Sequence, residues 1–215
     1  MTDPVKASRR PYDSSRRQAR AAETRSAVLA AARAAFLERG YAATTLPAVA
    51  TAAGVSTETV YKAFANKAGL VKAVFDVAMV GDDDPIPFLQ REFVRRNMAE
   101  PDPRLKLIQY GGHLTEIAPR THPVLLVVRD AAVADPAAAE VWANLQAERL
   151  TGMTAFATHL DEAGHLRAGV TVEHARDILW THNSVELWDL LVRQRGWSDE
   201  RWGGWTAEQL IAALL

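Results

Sequence analysis

The sequence predicts an all-α fold: a small N-terminal three-helix, helix-turn-helix domain followed by a larger C-terminal helical bundle. Three observations predict it. Apolar residues recur at three- and four-residue spacing along most of the chain, and no strand-like alternation is sustained anywhere. Residues 44–64 read as helix, tight glycine turn, helix. Charge is also divided along the chain. Residues 1–80 carry 12 Lys and Arg against 6 Asp and Glu, net +6, whereas residues 81–215 carry 13 against 20, net −7. A basic head on an acidic body points to one part that meets a polyanion and another with a different task.

The 215 residues suffice for one large or two small domains, and 48% of them are hydrophobic, enough to bury a substantial core. The absence of cysteine excludes a disulfide framework and thiolate chemistry. The first residues, Met1 to Lys6, lack the apolar run of a signal peptide, and the longest apolar run, 124–128, is far too short to cross a bilayer. A cytoplasmic protein with no membrane contact is expected.

Residues 1–22 carry Arg9, Arg10, Arg16, Arg17 and Arg20, with Pro4 and Pro11 between them. They are expected to form a flexible basic arm, either a solvated tail or one that reaches phosphates and the minor groove through charge alone. A first helix over 23–39 follows from Val28, Leu29, Ala32, Ala35 and Phe36, with Gly40 as its stop. A second helix starts at a threonine cap and presents Leu46, Val49, Ala50 and Ala53 on one face; Pro47 fits its first turn. Gly54 breaks it, Val55 turns inward, and Ser56 caps a third helix buried through Val60 and Phe64. A fourth helix over 66–80 buries Leu70, Val71, Val74, Phe75 and Ala78 before the break at 81–87. The head therefore spans 23–82, with its helix-turn-helix at 45–64, and the body spans 83–215. In the body, helices are expected over 88–99, 104–117, 123–134, 136–163, 172–194 and 206–215, separated by proline and glycine breaks. No internal repeat marks a solenoid.

The residues Gly40-Tyr41-Ala42-Ala43-Thr44-Thr45, Val49-Ala50, Ala52-Ala53-Gly54-Val55-Ser56, Thr59-Val60-Tyr61, Phe64, Lys67 and Leu70 together resemble the DNA-binding domain of the TetR family of transcriptional regulators. The match covers about residues 23–80 without gaps. The region after residue 85 is similar to the family in being helical and of suitable length, and 164–215 resembles the C-terminal part of many members. The resemblance implies a homodimer on a palindromic operator in double-stranded DNA, joined through the two long helices 136–163 and 172–194. It also implies a repressor released when a small-molecule effector enters the body. Glu58 stands where a small residue is commoner, and Ala63 replaces a frequent histidine or aromatic, which removes one usual phosphate contact.

The candidate DNA-binding residues follow from both lines of argument. Thr44 and Thr45 sit where free N–H groups of a helix start can hold a phosphate. Ser56 caps the third helix, and Thr57, Glu58 and Thr59 at its exposed start are candidates for base edges. A carboxylate there can accept from a cytosine amino group. Tyr61 and Lys62 are placed to reach phosphates or a thymine methyl, and the resemblance makes Lys67 a phosphate clamp. The plain alternative for each is a cap or a solvated side chain.

In the body, aromatic residues mix with polar groups at core-like positions, among them His113, Asn144, His159, His182 and Asn183. Buried polar groups need partners, and a ligand is one. Phe93, Tyr110, His113, Trp142, Phe156 and Trp180 are the candidate ligand-binding residues, against the plain alternative of core packing. Gly111-Gly112 in mid-helix signals a kink or a close approach. Helix 172–194 is apolar nearly all round, as a helix covered on two sides must be. Two other functions were weighed. A constitutive dimeric DNA-binding or interaction module would need no effector. A helical enzyme would need an acid–base pair or a metal, and His182, Glu186 and Asp189 do not match a common zinc spacing. No cofactor, no catalytic residue and no metal site is expected.

Overall fold

The computed structural model describes residues 14–81 and 90–215. Among these residues there are helices and turns and no strand. The helices are α1 (Ser14–Ala43), α2 (Leu46–Ala52), α3 (Thr57–Phe64), α4 (Lys67–Val80), α5 (Glu92–Ala99), α6 (Pro103–Ala132), α7 (Pro136–Glu162), α8 (Val172–His182), α9 (Val185–Trp188) and α10 (Asp199–Leu214). A π-helical turn, Asp189–Gln194, continues α9.

Eight of these starts are set by a local side-chain cap, whereas α5 has none. Thr45, Ser56, Asn66, Asp102, Asp135, Thr171, Ser184 and Ser198 all accept a backbone N–H of the helix that follows. The head closes around Val28, Ala32, Phe36, Val49, Val60, Leu70 and Val71, all almost completely buried. Helix α6 is the spine of the molecule, packing against α1 and α4 of the head and against α5, α7, α9 and α10 of the body. Its tightest crossing is with α10. There Gly111 and Gly203 bring the two backbones so close that a Cβ on Gly111 would sit 2.5 Å from the Gly203 carbonyl oxygen. The paired glycines at 111–112 thus mark a helix crossing rather than a kink.

Four expectations need correction. Residues 14–22 lie on α1, which extends nine residues further toward the N-terminus than periodicity suggested and has its non-helical break at Gly40 (φ 75°). Arg16, Arg17 and Arg20 are therefore exposed on a helix, while Arg9 and Arg10 lie outside the described residues. The expected helices 104–117 and 123–134 are one helix despite Pro119 and Pro123. Side chains supply donors near the prolines: Thr121 Oγ1 donates to the Ile117 carbonyl (2.9 Å) and Arg33 to the Arg120 carbonyl (3.2 Å). Conversely, the expected helix 172–194 breaks at Asn183 and Ser184, where Ser184 caps a new start. The last helix begins at Asp199 rather than 206, because Ser198 caps it and Gly203 is needed inside it. The expected boundary at 83, and the start of helix 88–99 with Phe88, fall outside the described residues.

Candidate nucleic-acid interface and ligand cavity

Helix α3 is held to the head by Val60 and Phe64, and the spacing of these two leaves its opposite face in solvent. Gly54, at φ 68°, makes the turn that lets α2 and α3 cross, a conformation L side chains rarely adopt. Ser56 Oγ accepts from the Thr59 N–H (3.1 Å) and lies 2.8 Å from Thr59 Oγ1, so both hydroxyls are partly engaged in the cap. Glu58, Thr59, Tyr61 and Lys62 are exposed, Tyr61 by half of its surface, and Thr57 is half-buried. Thr45 is exposed and caps α2 through the Ala48 N–H (3.3 Å).

Two candidates sit differently from expectation. Thr44 is fully buried; its hydroxyl donates to the Gly40 carbonyl (2.8 Å) and its N–H to the Tyr41 carbonyl. Neither group faces solvent, so Thr44 closes the turn after α1 and is withdrawn from the phosphate position expected of it. Lys67 Nζ donates to the Tyr41 carbonyl (2.9 Å) and lies 4.2 Å from the Tyr41 ring centroid. Its first task is to bind the start of α4 to the end of α1. Asp135 acts on Tyr41, and burial together with that carboxylate pushes the phenol up to about 12. Asp135 also accepts from Ala137 and Ala138 at the start of α7, which keeps its carboxyl below the usual range. The head is thus joined to the α6–α7 turn.

Beneath the head lies a cavity of about 460 Å³. Its walls come from α4 (Phe75, Val77, Met79), α5 (Phe93, Met98), α6 (Tyr110, Leu114), α7 (Leu145, Arg149, Phe156) and the α8–α9 break at Asn183. Phe93, Tyr110, His113 and Phe156 of the expected ligand-binding residues are among the lining side chains. Trp142 and Trp180 are not. Trp142 packs against the core, and Trp180 stacks under the Arg149 guanidinium at 4.4 Å. The helical wheel placed them on the right elements, but the rotation of α7 and α8 in the bundle sends them away from the cavity.

In the polar part of the lining, Tyr110, His113 and Asn183 were expected, and Arg149 and His122 were not. Arg149 donates to Asn183 Oδ1 (2.6 Å), the Trp180 carbonyl (2.6 Å) and Gln146 Oε1 (2.9 Å). Asn183 Nδ2 donates to the Tyr110 oxygen (2.8 Å), and the Tyr110 hydroxyl has only the Met153 thioether as acceptor, at 3.5 Å. Burial raises the Tyr110 pKa to about 12. His122 stacks on Trp188 with ring centroids 5.2 Å apart, and its Nδ1 has no partner in the protein. Burial drives its pKa down to about 3, so the ring is neutral. His113 stacks face to face on Phe93 at 3.7 Å, and burial also lowers its pKa. A signal for Arg149 was present in the sequence: it falls on the same stripe of α7 as Leu145, Met153 and Phe156, a charge at an otherwise apolar position. His122 gave none, lying between two prolines in a stretch that reads as a break.

At the cavity mouth, Lys72 of α4 binds Asp76 (2.6 Å) and reaches Glu148 of α7 (3.5 Å), a polar strap between the two helices. Lys106 is fully buried, donating to the Asn97 and Met98 carbonyls (2.8 and 3.0 Å) and meeting His159 Nε2 at 2.9 Å. It caps the end of α5, and burial lowers its pKa. Among the described residues no cluster of three His, Asp or Glu is arranged to hold a metal ion, and no helix is long and apolar enough to cross a membrane.

Residues 28–74, which contain the whole helix-turn-helix, match the family described as bacterial regulatory proteins, tetR family. The head of the chain is thus similar to the TetR family over those residues. Solved structures extend the likeness to the body. A TetR transcription regulator from Haloarcula marismortui superposes with a TM-score of 0.64 at 20% identity, over 89% of this chain and 98% of that one. The transcriptional regulator FadR from Bacillus subtilis, solved with stearoyl-CoA, superposes with a TM-score of 0.68 at 17% identity, over 88% and 99%. SmeT in complex with triclosan gives 0.63 at 24%, over 88% and 90%. At these identities the likeness is one of fold. No curated protein matches the chain significantly. The family match over the head, with the fold match over the whole chain, supports a DNA-binding regulator.

Proposed function

We propose that the chain is a homodimeric repressor of a palindromic operator, released when a small molecule occupies the cavity of the body. One observation carries the ligand-responsive part: α4 belongs to both halves of the machine. It is tied to the end of α1 through Lys67, packs against α3, and lines the cavity with Phe75, Val77 and Met79. A ligand there touches the helix that orients the reading head. It shifts the equilibrium to the extent that it prefers one orientation of α4 over the other.

In this reading Thr57, Glu58 and Thr59 meet base edges, and Tyr61 and Lys62 meet the backbone. Ser56 and Thr45 present their helix starts to phosphates. Lys67 contributes its remaining proton, and Arg16, Arg17 and Arg20 add charge from the exposed side of α1. The body of one protomer pairs with its partner through α7 and the α8–α9 region, where Leu150 and Leu190 remain partly exposed. In the dimer the two α3 helices lie about one turn of B-DNA apart, about 34–36 Å. Two of the similar proteins carry small molecules, stearoyl-CoA in FadR and triclosan in SmeT, and a 460 Å³ cavity in the same kind of fold supports the same use here.

The test is selection of operator sequences from random duplex DNA by the full-length protein, followed by footprinting in physiological salt. A selected inverted repeat with half-sites about ten base pairs apart supports the proposal. Binding without preference over competitor DNA overturns it.

A further inference from the structure

The polar groups of the cavity wall are amides, two histidines, a tyrosine, a threonine, two acids and the arginines Arg91 and Arg149. A guanidinium, Arg149, forms part of that wall, and every acceptor it meets is neutral: Gln146 Oε1, Asn183 Oδ1 and the Trp180 carbonyl. No carboxylate lies within ion-pair distance of it among the described residues. Glu186, on α9, acts on it only at longer range. The two acids that line the cavity, Asp76 and Glu148, belong to the mouth and are already held by Lys72. From Arg149 the hydrogen bonds run in one direction. Its N–H donates to the Asn183 carbonyl oxygen, the Asn183 amide donates to the Tyr110 oxygen, and the chain ends at the Tyr110 O–H. Such a chain, begun by a cation, polarises the last donor. That donor faces only a thioether 3.5 Å away, a weak acceptor. Tyr110 is itself more than nine-tenths buried. The rest of the wall, Phe93, Met98, Leu114, Leu145 and Phe156, is apolar.

We infer that the ligand of this cavity is an apolar molecule ending in a single carboxylate, which accepts from the Tyr110 hydroxyl and is balanced by the Arg149 charge while its tail lies among the phenylalanines and leucines. The inference rests on the reading of the cavity as an effector site and adds the chemical class. A carboxylate gives the hydrogen-bond chain an anionic terminus and the buried guanidinium a counter-charge, both of which the protein leaves unsupplied. An alcohol of equal length supplies an acceptor without charge. An amine places a second cation beside the first.

The experiment holds the tail constant and changes the head. n-Decanoate, 1-decanol and decylamine are titrated into the full-length protein by calorimetry, below their aggregation limits, with tryptophan emission as a second readout. Decanoate is expected to bind about ten-fold tighter than decanol, and decylamine weaker than both, the size following from a charge-assisted hydrogen bond. Tyr110→Phe, which keeps the ring and removes the donor, is expected to weaken decanoate more than decanol and to bring decanoate to within about two-fold of decanol. Arg149→Lys, which keeps the charge, retains part of the preference. Equal or tighter binding of decanol or decylamine overturns the inference, as does binding by none of the three or a carboxylate preference that survives in Tyr110→Phe. Operator release, measured on the same samples, separates the two proposals. Release by decanol but not decanoate leaves the effector reading standing and removes the carboxylate. Preferential decanoate binding with no effect on the operator does the reverse.

Discussion

The head and the body treat their polar groups in opposite ways. In the head, Thr44 closes on Gly40, Ser56 on Thr59 and Asn66 on Gly69, each within its own turn, and Lys67 on Tyr41 at the end of α1. In the body, the side chains of His113, Arg120, His122, His165, Trp180, Trp202 and Thr206 each bury at least one polar atom that has no partner in the protein. All such described atoms lie in the body. A reading head must present one fixed face to DNA, so a self-satisfied core serves it. Of the body's unpartnered groups His113 and His122 line the cavity, and in the proposed reading they are held in reserve for a ligand, at a cost in stability of about 1–3 kcal/mol for each group left unsatisfied.

The largest effect that tests this contrast is in the head. Phe36 is fully buried and stacks on Tyr41 at 5.9 Å. Phe36→Ala should cost about 3–5 kcal/mol in urea unfolding and abolish DNA binding, because no nearby group can fill the gap. A smaller loss, about 1–3 kcal/mol, is expected from Gly203→Ala in the body, where the new methyl meets the Gly111 carbonyl and Thr115. A wild-type melting temperature for that variant would show that the α6–α10 crossing can open, contrary to the geometry.

Acid sharpens the comparison further. All six histidines and all six tryptophans lie between residues 113 and 205, in the body. The folded-state pKa of His122 is about 3, below the ordinary 6.5, and those of His113 and His159 are lowered as well. The unfolded chain therefore binds more protons between about pH 6.5 and pH 3, and stability falls as pH drops through that window. Tryptophan emission should report loss of the body on acidification. In His122→Asn the melting temperature should fall less between pH 7 and pH 4.5 than in the wild type. An unchanged pH slope would mean that His122 is not the group responsible. The smallest expected effect is on stability in Lys62→Ala, which removes an exposed side chain and should leave unfolding unchanged. Its operator affinity should weaken, with the slope of log K against log salt reduced by about one.

The all-helical class, the helix-turn-helix, the caps at Thr45 and Ser56 and the buried set Val49, Val60, Phe64 and Leu70 could all be read from the sequence, because each depends on residues within one or two turns of each other. Helix lengths in the body could not. Pro119 and Pro123 read as a break, yet α6 runs through them with donors from Thr121 and from Arg33 on another helix. The periodic stretch 172–194 reads as one helix, yet it opens at Asn183, where Arg149 and Tyr110 offer that side chain hydrogen bonds from across the bundle. The paired glycines 111–112 signalled a close approach, but not that Gly203 was the other side of it.

What the sequence by itself determined about this protein is the shape and exposed face of its reading head, since short-range capping and 3.6-residue periodicity suffice to build it. Tertiary structure alone decided the rest. It withdrew Thr44 into the core, turned Trp142 and Trp180 away from the cavity, and brought Arg149 of α7, Tyr110 of α6 and Asn183 of the α8–α9 break together, up to 73 residues apart. Those contacts depend on how helices rotate and cross. That is a property of the whole packed bundle, which no local spacing encodes.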